Sequence, residues 1–97
     1  MLKENIKSFS RGERIRKVLT NENFRAIMFT DMDEALLGIH RDTVQYSVAV
    51  YSLIKFIEQL ILKRGLSEEE ALDYYDKSIM TRIRMEDYPI FIDDTGV

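Results

Sequence analysis

The sequence predicts a small α+β domain in which two or three β-strands pack on two main helices, with an accessory helix at the N-terminus. Helix-capping residues followed by apolar residues at a helical period occur in segments 10–20, 52–64 and 67–84. Short apolar segments with strand character occur at 44–51 and 89–92. A chain of 97 residues, 45% hydrophobic and 32% charged, is typical of one globular domain with a single core.

Residues 1–23 are predicted to form a basic helical extension of a single domain over residues 24–97. Ser10 and Glu13 have the spacing of a capping box, and a helix is predicted to follow. Its apolar residues fall on one face: Ile15, Val18 and Leu19. Such a face favours burial, and we expect it to contact a second copy of the chain in a homo-oligomer.

Charge divides the chain unevenly. Seven basic and three acidic side chains give residues 1–25 a net charge of +4, whereas seven basic and fourteen acidic side chains give residues 26–97 a net charge of −7. The extension therefore either contacts nucleic acid or docks on the acidic body of its own chain or a neighbour. Docking, or an extension that is simply solvated, is favoured over nucleic-acid contact because the acidic body repels phosphate. The basic residues available for either contact are Arg11, Arg14, Arg16 and Lys17.

Segment 24–40 is predicted to contain a strand and a short helix. Phe24 to Phe29 is rich in aromatic and long apolar side chains, which favours a strand, although a helix remains an alternative. Thr30 and Asp33 suggest an N-cap, and Gly38 suggests the left-handed residue that ends a helix.

The clearest strand is predicted in segment 44–51. Valine or tyrosine at positions 44, 46, 48 and 50 alternates with Gln45, Ser47, Ala49 and Tyr51. This period of two is expected of a strand with one face on a core.

Two helices and a closing strand are predicted after this segment. Ser52 is suited to cap a helix that Gly65 ends after Arg64. Ser67 begins a capping box with Glu70, and the helix that follows is predicted to run to about Arg84. Its predicted buried stripe is Leu72, Tyr75, Ile79 and Ile83. Residues 90–92 are predicted to form an edge strand, because Pro89 cannot donate to a ladder.

Composition also limits the chemistry and the location of the protein. The chain has no cysteine, which excludes disulfides, thiolate metal ligands and cysteine nucleophiles. No apolar run approaches the roughly 18 residues that cross a bilayer, and the N-terminus lacks a signal-peptide pattern. We therefore expect a cytoplasmic protein that does not contact membranes.

No catalytic residue, metal site or cofactor is predicted. The single histidine, His40, lies near Asp42 but has no second histidine or cysteine to complete a triad or a metal site. Asp31, Asp33 and Glu34 are explained by helix capping, and the four glycines are isolated, which excludes a glycine-rich phosphate loop. We predict that the protein is not an enzyme.

Residues 31–92 resemble a family of small uncharacterised proteins that is common in bacteriophage genomes. The matching segments are Asp33-Glu34-Ala35-Leu36-Leu37-Gly38-Ile39, Val50-Tyr51-Ser52 with Lys55 and Ile57-Glu58, Gly65 to Tyr74 (GLSEEEALDY), and Pro89-Ile90-Phe91-Ile92. The sequence departs from the family in having Phe56 where cysteine is frequent, and in its N-terminal extension. The resemblance implies a viral or prophage origin, and hence the host cytoplasm, but no reaction.

The preferred functional prediction is a phage-type protein that binds and blocks a host factor through an acidic surface. The target would be a host protein or protein–nucleic acid complex, for example a component of an antiviral defence system such as CRISPR. The predicted surface consists of Glu68, Glu69, Glu70, Asp73 and Asp76. It would compete for a basic, nucleic-acid-binding face of the target.

Two alternatives remain open from the sequence. An oligomer could sequester a nucleotide in a pocket between chains, with arginines on the phosphate and tyrosines on the base. The residues suited to those contacts are Tyr74, Tyr75, Arg82 and Arg84. The other alternative is an accessory protein that binds nucleic acid through the basic extension.

Overall fold

The computed structural model describes residues 10–41, 46–82 and 85–96. Within these residues, three α-helices accompany one three-stranded sheet. The helices are α1 (Arg11–Glu22), α2 (Leu53–Arg64) and α3 (Glu68–Tyr74), and the strands are β1 (Leu36–His40), β2 (Val48–Ser52) and β3 (Ile90–Ile92). The strand order is β1-β2-β3, with β1 antiparallel and β3 parallel to β2. The predicted α+β class is confirmed.

Helix α1 begins as predicted and packs on the rest of the domain. The Ser10 hydroxyl accepts a hydrogen bond from the Glu13 amide, and the Glu13 carboxylate accepts one from the Ser10 amide, each at 3.1 Å. Leu19 is completely buried in the core. Gly12 approaches the backbone so closely that a Cβ added there would lie 2.2 Å from the Asp33 carbonyl oxygen. The helix is therefore docked at both ends.

The predicted strand at residues 24–29 is wrong. This segment runs through the domain without joining the sheet, although Phe29 packs among aromatic residues of the core. The Ile27 amide donates to the Asp87 carbonyl at 3.0 Å, and the Phe29 amide donates to the Tyr51 hydroxyl at 2.9 Å. Because a turn carbonyl and a tyrosine hydroxyl accept the hydrogen bonds of these two amides, the amides do not form the backbone ladder of a strand.

The helix predicted between Thr30 and Gly38 is also wrong. Only a 3-10 turn forms, at Asp33–Ala35, and no side chain caps it. Gly38 lies within β1, opposite Val50, instead of ending a helix. Pairing with β2 outweighs the local helical signal, because a strand beside the central strand of the sheet satisfies more backbone groups than one or two helical turns.

Strand β2 buries the opposite face from the one that its valines suggest. Ala49 and Tyr51 are completely buried, whereas Val48 and Val50 remain partly exposed. Tyr46 precedes the strand and is 54% exposed, and positions 44 and 45 lie outside the described residues. Tyr51 occupies the core because its ring stacks on Phe91 and its hydroxyl has a backbone partner.

Helix α2 follows its predicted limits. The Ser52 hydroxyl accepts from the Lys55 amide at 3.2 Å, and Gly65, with φ of 67°, ends the helix in the left-handed conformation. The Ser52 cap and the Gly65 stop each depend on residues close together in the sequence, which explains why the sequence alone predicted both limits.

The next helix begins as predicted but changes form. Both bonds of the Ser67–Glu70 capping box are present. After α3 the chain continues as a π-helical segment (Tyr75–Ile79) and a 3-10 turn (Met80–Arg82), and residues 83 and 84 lie outside the described part. Tyr75 and Ile79 are buried as predicted, but Leu72 is 42% exposed. The buried line runs through Ala71, and Leu72 lies about 100° further round the helix.

Strand β3 forms the predicted edge after Pro89. It pairs with β2 so that Phe91 lies opposite Tyr51. Phe91 thereby joins an aromatic cluster that fills the core between the sheet and the helices. The other members of this cluster are Phe29, Tyr51, Phe56, Tyr75 and Tyr88.

Candidate protein-binding groove

A groove of about 420 Å³ lies between α2 and α3. Its walls are mainly isoleucine and leucine, and two carboxylates stand among them. The lining residues are Ile54, Ile57, Glu58, Ile61, Glu68, Leu72 and Thr95. This set is referred to below as the groove.

One wall of the groove depends on Asp94, which holds the end of the chain against the start of α2. Its carboxylate accepts hydrogen bonds from the Ile54 amide at 3.0 Å and from the Ser52 hydroxyl at 2.6 Å. These bonds, the amide of Ile54 first, lower the pKa of Asp94. Asp94 thus acts as a second cap of α2 and brings the next residue, Thr95, to the groove.

The opposite wall follows from the tight connection between α2 and α3. Gly65 reverses the chain, and Ser67 starts α3 two residues later. Glu68 is the first residue of α3, and Leu72 follows one helical turn further along the same side. Both residues therefore face the groove.

The rim of the groove carries negative charge that no residue in the described part of the chain neutralises. Glu58 and Glu68 are exposed and have no hydrogen-bond or ion-pair partner within residues 10–41, 46–82 and 85–96. Most of the described carboxylates outside the groove instead accept a hydrogen bond or form an ion pair. The ion pairs are Asp33 with Arg16, Glu34 with Lys63, Glu22 with Arg41 and Asp73 with Lys77. The groove is thus apolar inside and uncompensated at its rim.

The acidic surface predicted from the sequence only partly coincides with the groove. All five residues, Glu68, Glu69, Glu70, Asp73 and Asp76, are exposed. Glu68 alone of the five lines the groove, whereas the Glu70 carboxylate accepts from the Ser67 amide at 2.8 Å and Asp73 pairs with Lys77 at 3.1 Å. Sequence reasoning missed Glu58. The sequence feature that could have identified Glu58 is its position between the isoleucines of an otherwise apolar helix face.

The predicted basic contact residues have two different roles. Arg16 donates to the Asp33 carboxylate, at 2.5 Å for the shortest pair of atoms, and to the Phe29 carbonyl at 3.0 Å. The hydrogen bond to Asp33 raises the pKa of Arg16. Arg11 donates to the Leu37 carbonyl at 3.1 Å. These two arginines fasten α1 to the body, while Arg14 and Lys17 are exposed.

A larger cavity, of about 600 Å³, lies between α1, β1 and α2 and has charges of both signs. Within it, Lys63 donates to the Asp31 carbonyl at 2.7 Å and to the Glu34 carboxylate at 3.0 Å. The bond from Lys63 lowers the pKa of Glu34. Asp33, also in this cavity, pairs with Arg16. The carboxylates of this cavity that come from residues 31–34 therefore serve largely to join helices.

His40 does not meet the carboxylates of segment 31–34 in a shared cleft. It lies exposed at the end of β1, and Asp42 is outside the described residues. Asp93 accepts from the Thr95 hydroxyl at 2.7 Å in a local turn. In the described ranges, no three histidine, aspartate or glutamate side chains are grouped so as to hold a metal ion.

The residues predicted for a nucleotide contact between chains lie in different surroundings within one copy of the chain. Tyr75 packs in the core against Phe91, with ring centroids 5.3 Å apart. The Arg64 guanidinium lies over the Tyr74 ring at 5.7 Å, Arg82 is exposed, and residue 84 is outside the described part. Neither cavity is lined by any of them.

No protein-family model, curated protein or solved structure matches the chain. Of the helices in the described ranges, none has the length and apolar character needed to cross a membrane.

Proposed function

We propose that the protein is a non-enzymatic interaction protein that binds a basic, amphipathic segment of a partner protein in the groove. The observation that carries this proposal is the apolar floor of Ile54, Ile57, Ile61 and Leu72 between the unpaired carboxylates of Glu58 and Glu68. A partner helix with one apolar stripe flanked by lysine or arginine has the complementary chemistry.

Apolar contact and charge have separate effects in this arrangement. The volume of the groove accommodates a few apolar side chains, which would provide the contact that resists dissociation. The two rim carboxylates would accelerate encounter with a positive partner and repel an acidic one. Because both carboxylates are exposed, their effect should weaken as salt concentration rises.

The proposed biological action is to occlude a basic face of a host factor that binds nucleic acid. The net charge of −7 over residues 26–97 supports this, since it resembles the charge of the ligand that would be displaced. The resemblance of residues 31–92 to a bacteriophage family supports host antiviral defence components, such as CRISPR complexes, as the first partners to test.

The first experiment uses a fluorescent, helix-forming peptide of leucine and lysine, with a leucine–glutamate peptide of the same pattern as its counterpart. Fluorescence anisotropy should show binding of the lysine peptide only, weakened by added salt. Reversal of charge in E58K and in E68K should weaken binding, together by about tenfold or more.

Glu69 provides a matched control for Glu68. Both glutamates are exposed in the first turn of α3, but Glu69 does not line the groove. E69K changes the net charge and the helix start as E68K does, and it should alter binding by less than about twofold. Equal losses in E68K and E69K would show that binding depends on the diffuse acidic surface, and the groove would be excluded.

A further inference from the structure

Strand β3 leaves one edge of the sheet without hydrogen-bond partners in the described part of the chain. Its backbone pairs with β2 on one side, and no backbone or side-chain bond reaches residues 90–92 from elsewhere in the described ranges. An exposed strand edge of this kind is a template for another strand. Natural edges are blunted by shortness, by proline or by charge. This edge is short and lies between Pro89 and Asp93, but its own residues are Ile90, Phe91 and Ile92.

The sheet surface beside this edge is apolar. Phe91 is directed to the core, so Ile90 and Ile92 lie on the opposite face, where they are 38% and 47% exposed. The pairing register places Val50 opposite Ile90, and the next strand contributes Gly38, which has no side chain. The strand edge and the face beside it thus expose β-branched side chains, and the acidic residues Asp93 and Asp94 follow directly after the edge.

We propose that a second copy of the chain pairs with this edge, β3 to β3, antiparallel and with the two-fold axis at Phe91. The two sheets would then form one sheet of six strands. The strand sequence Ile-Phe-Ile is symmetric about its centre, so this register places Ile90 of each copy opposite Ile92 of the other. Cross-strand apolar pairs of this type stabilise a sheet, and the free donors and acceptors of the edge become paired.

The acidic residues that follow the strand are compatible with this register, in a chain of net charge −3. With Phe91 at the axis, Asp93 of one copy lies opposite Pro89 of the other. The two Asp93 residues are then about 13 Å apart along the strands, since each residue advances about 3.3 Å. That separation exceeds the screening length of about 8 Å at physiological salt. The acidic chain ends therefore do not oppose the pairing.

The proposed edge is separate from the groove, which lies between two helices and includes no residue of β3. Substitutions within the groove and substitutions at the edge therefore test peptide binding and dimerisation separately. It also differs from the contact expected through the N-terminal helix, because α1 contributes nothing to the β3 edge.

The test is the mass of the full chain in solution, measured by sedimentation and native mass spectrometry over a micromolar dilution series. The wild-type protein should be a dimer that dissociates on dilution. I90K/I92K places positive charges opposite each other across the axis and should raise the dissociation constant at least about tenfold. I90K/I92E places opposite charges across from each other and should restore the dimer.

Circular dichroism and thermal melts of each variant establish that the domain remains folded, which the exposure of both isoleucines favours. A monomeric wild type throughout the series overturns the proposal. So does a dimer that I90K/I92K leaves intact, since its interface must lie elsewhere. If both double variants are folded monomers, the antiparallel register about Phe91 is wrong.

Discussion

Replacement of Gly12 by alanine tests how closely α1 is docked on the domain. In most helices this change stabilises, by about 0.5–1 kcal/mol, because alanine loses less backbone entropy on folding. Here the added Cβ would lie 2.2 Å from the Asp33 carbonyl oxygen and 2.8 Å from the Asp33 carbonyl carbon. These are backbone atoms, and the Arg16–Asp33 ion pair holds their residue in place.

The clash should outweigh the helical gain. Forcing an extra group into a closely packed contact costs about 1–3 kcal/mol, and a backbone neighbour cannot rotate away as a side chain can. Since Gly12 is only the second residue of α1, the entropic gain is at the low end of its range. We expect G12A to lower the free energy of unfolding by about 2 kcal/mol, and the melting temperature by about 10 °C for a chain of this size.

Urea denaturation followed by far-UV circular dichroism measures this change. N21A is the matched control, because Asn21 is an exposed residue of the same helix and should tolerate alanine with no loss. A G12A protein as stable as wild type, or more stable, would refute the docking of α1 and leave residues 1–23 as a separate extension.

Two further predictions concern contacts that position the groove and the core. D94N should lose less stability than the wild type as the pH is lowered. Hydrogen bonds lower the pKa of Asp94 in the folded protein, so its contribution to the free energy of unfolding is present above the pKa of the unfolded chain. That contribution disappears as the pH falls through the pKa of the folded protein. Urea titrations from neutral pH to pH 3 check this, and equal slopes for both proteins would contradict it. Y51F should cost about 1–3 kcal/mol, because the Phe29 amide loses its acceptor inside the domain. Y74F is its control, since the Tyr74 hydroxyl has no hydrogen-bond partner in the described part of the chain, and a loss in Y74F equal to that in Y51F would contradict the assignment.

Three helix starts and one helix stop were predictable because their signals are local. The hydroxyls of Ser10, Ser52 and Ser67 each accept a hydrogen bond from the backbone amide three residues later. Gly65 adopts the left-handed conformation that its position suggested. Such bonds involve residues close in sequence, so a pattern of residue types is sufficient to locate them.

The strand predictions failed where distant contacts decided the structure. The Phe29 amide is satisfied by a tyrosine hydroxyl 22 residues away, and Gly38 enters a strand because β2 lies beside it. The face of β2 was set by Tyr51, whose ring and hydroxyl both have partners in the core. A pattern of apolar residues contains no information about which of two apolar faces has such partners.

The candidate groove was only half visible in the sequence for the same reason. Glu68 was conspicuous as part of three consecutive glutamates, but Glu58 becomes significant only when α2 and α3 pack side by side. Thr95 reaches the groove through a bond between Asp94 and an amide 40 residues earlier. Because the residues that line the groove come from three separate segments, no short sequence motif identifies it.

The C-terminal residues connect the two proposed surfaces, and this determines which variants can distinguish them. Within six residues, Ile90 and Ile92 form the free edge, Phe91 fills the core, Asp94 caps α2 and Thr95 lines the groove. A substitution in segment 93–95 would therefore disturb peptide binding, helix capping and the strand edge together. Charge reversal at Glu58 or Glu68 alters the groove without touching β3, and charge placed at 90 and 92 alters the edge without touching the groove. A loss of peptide binding in the first set, with the dimer retained and with E69K unaffected, would locate the binding in the groove.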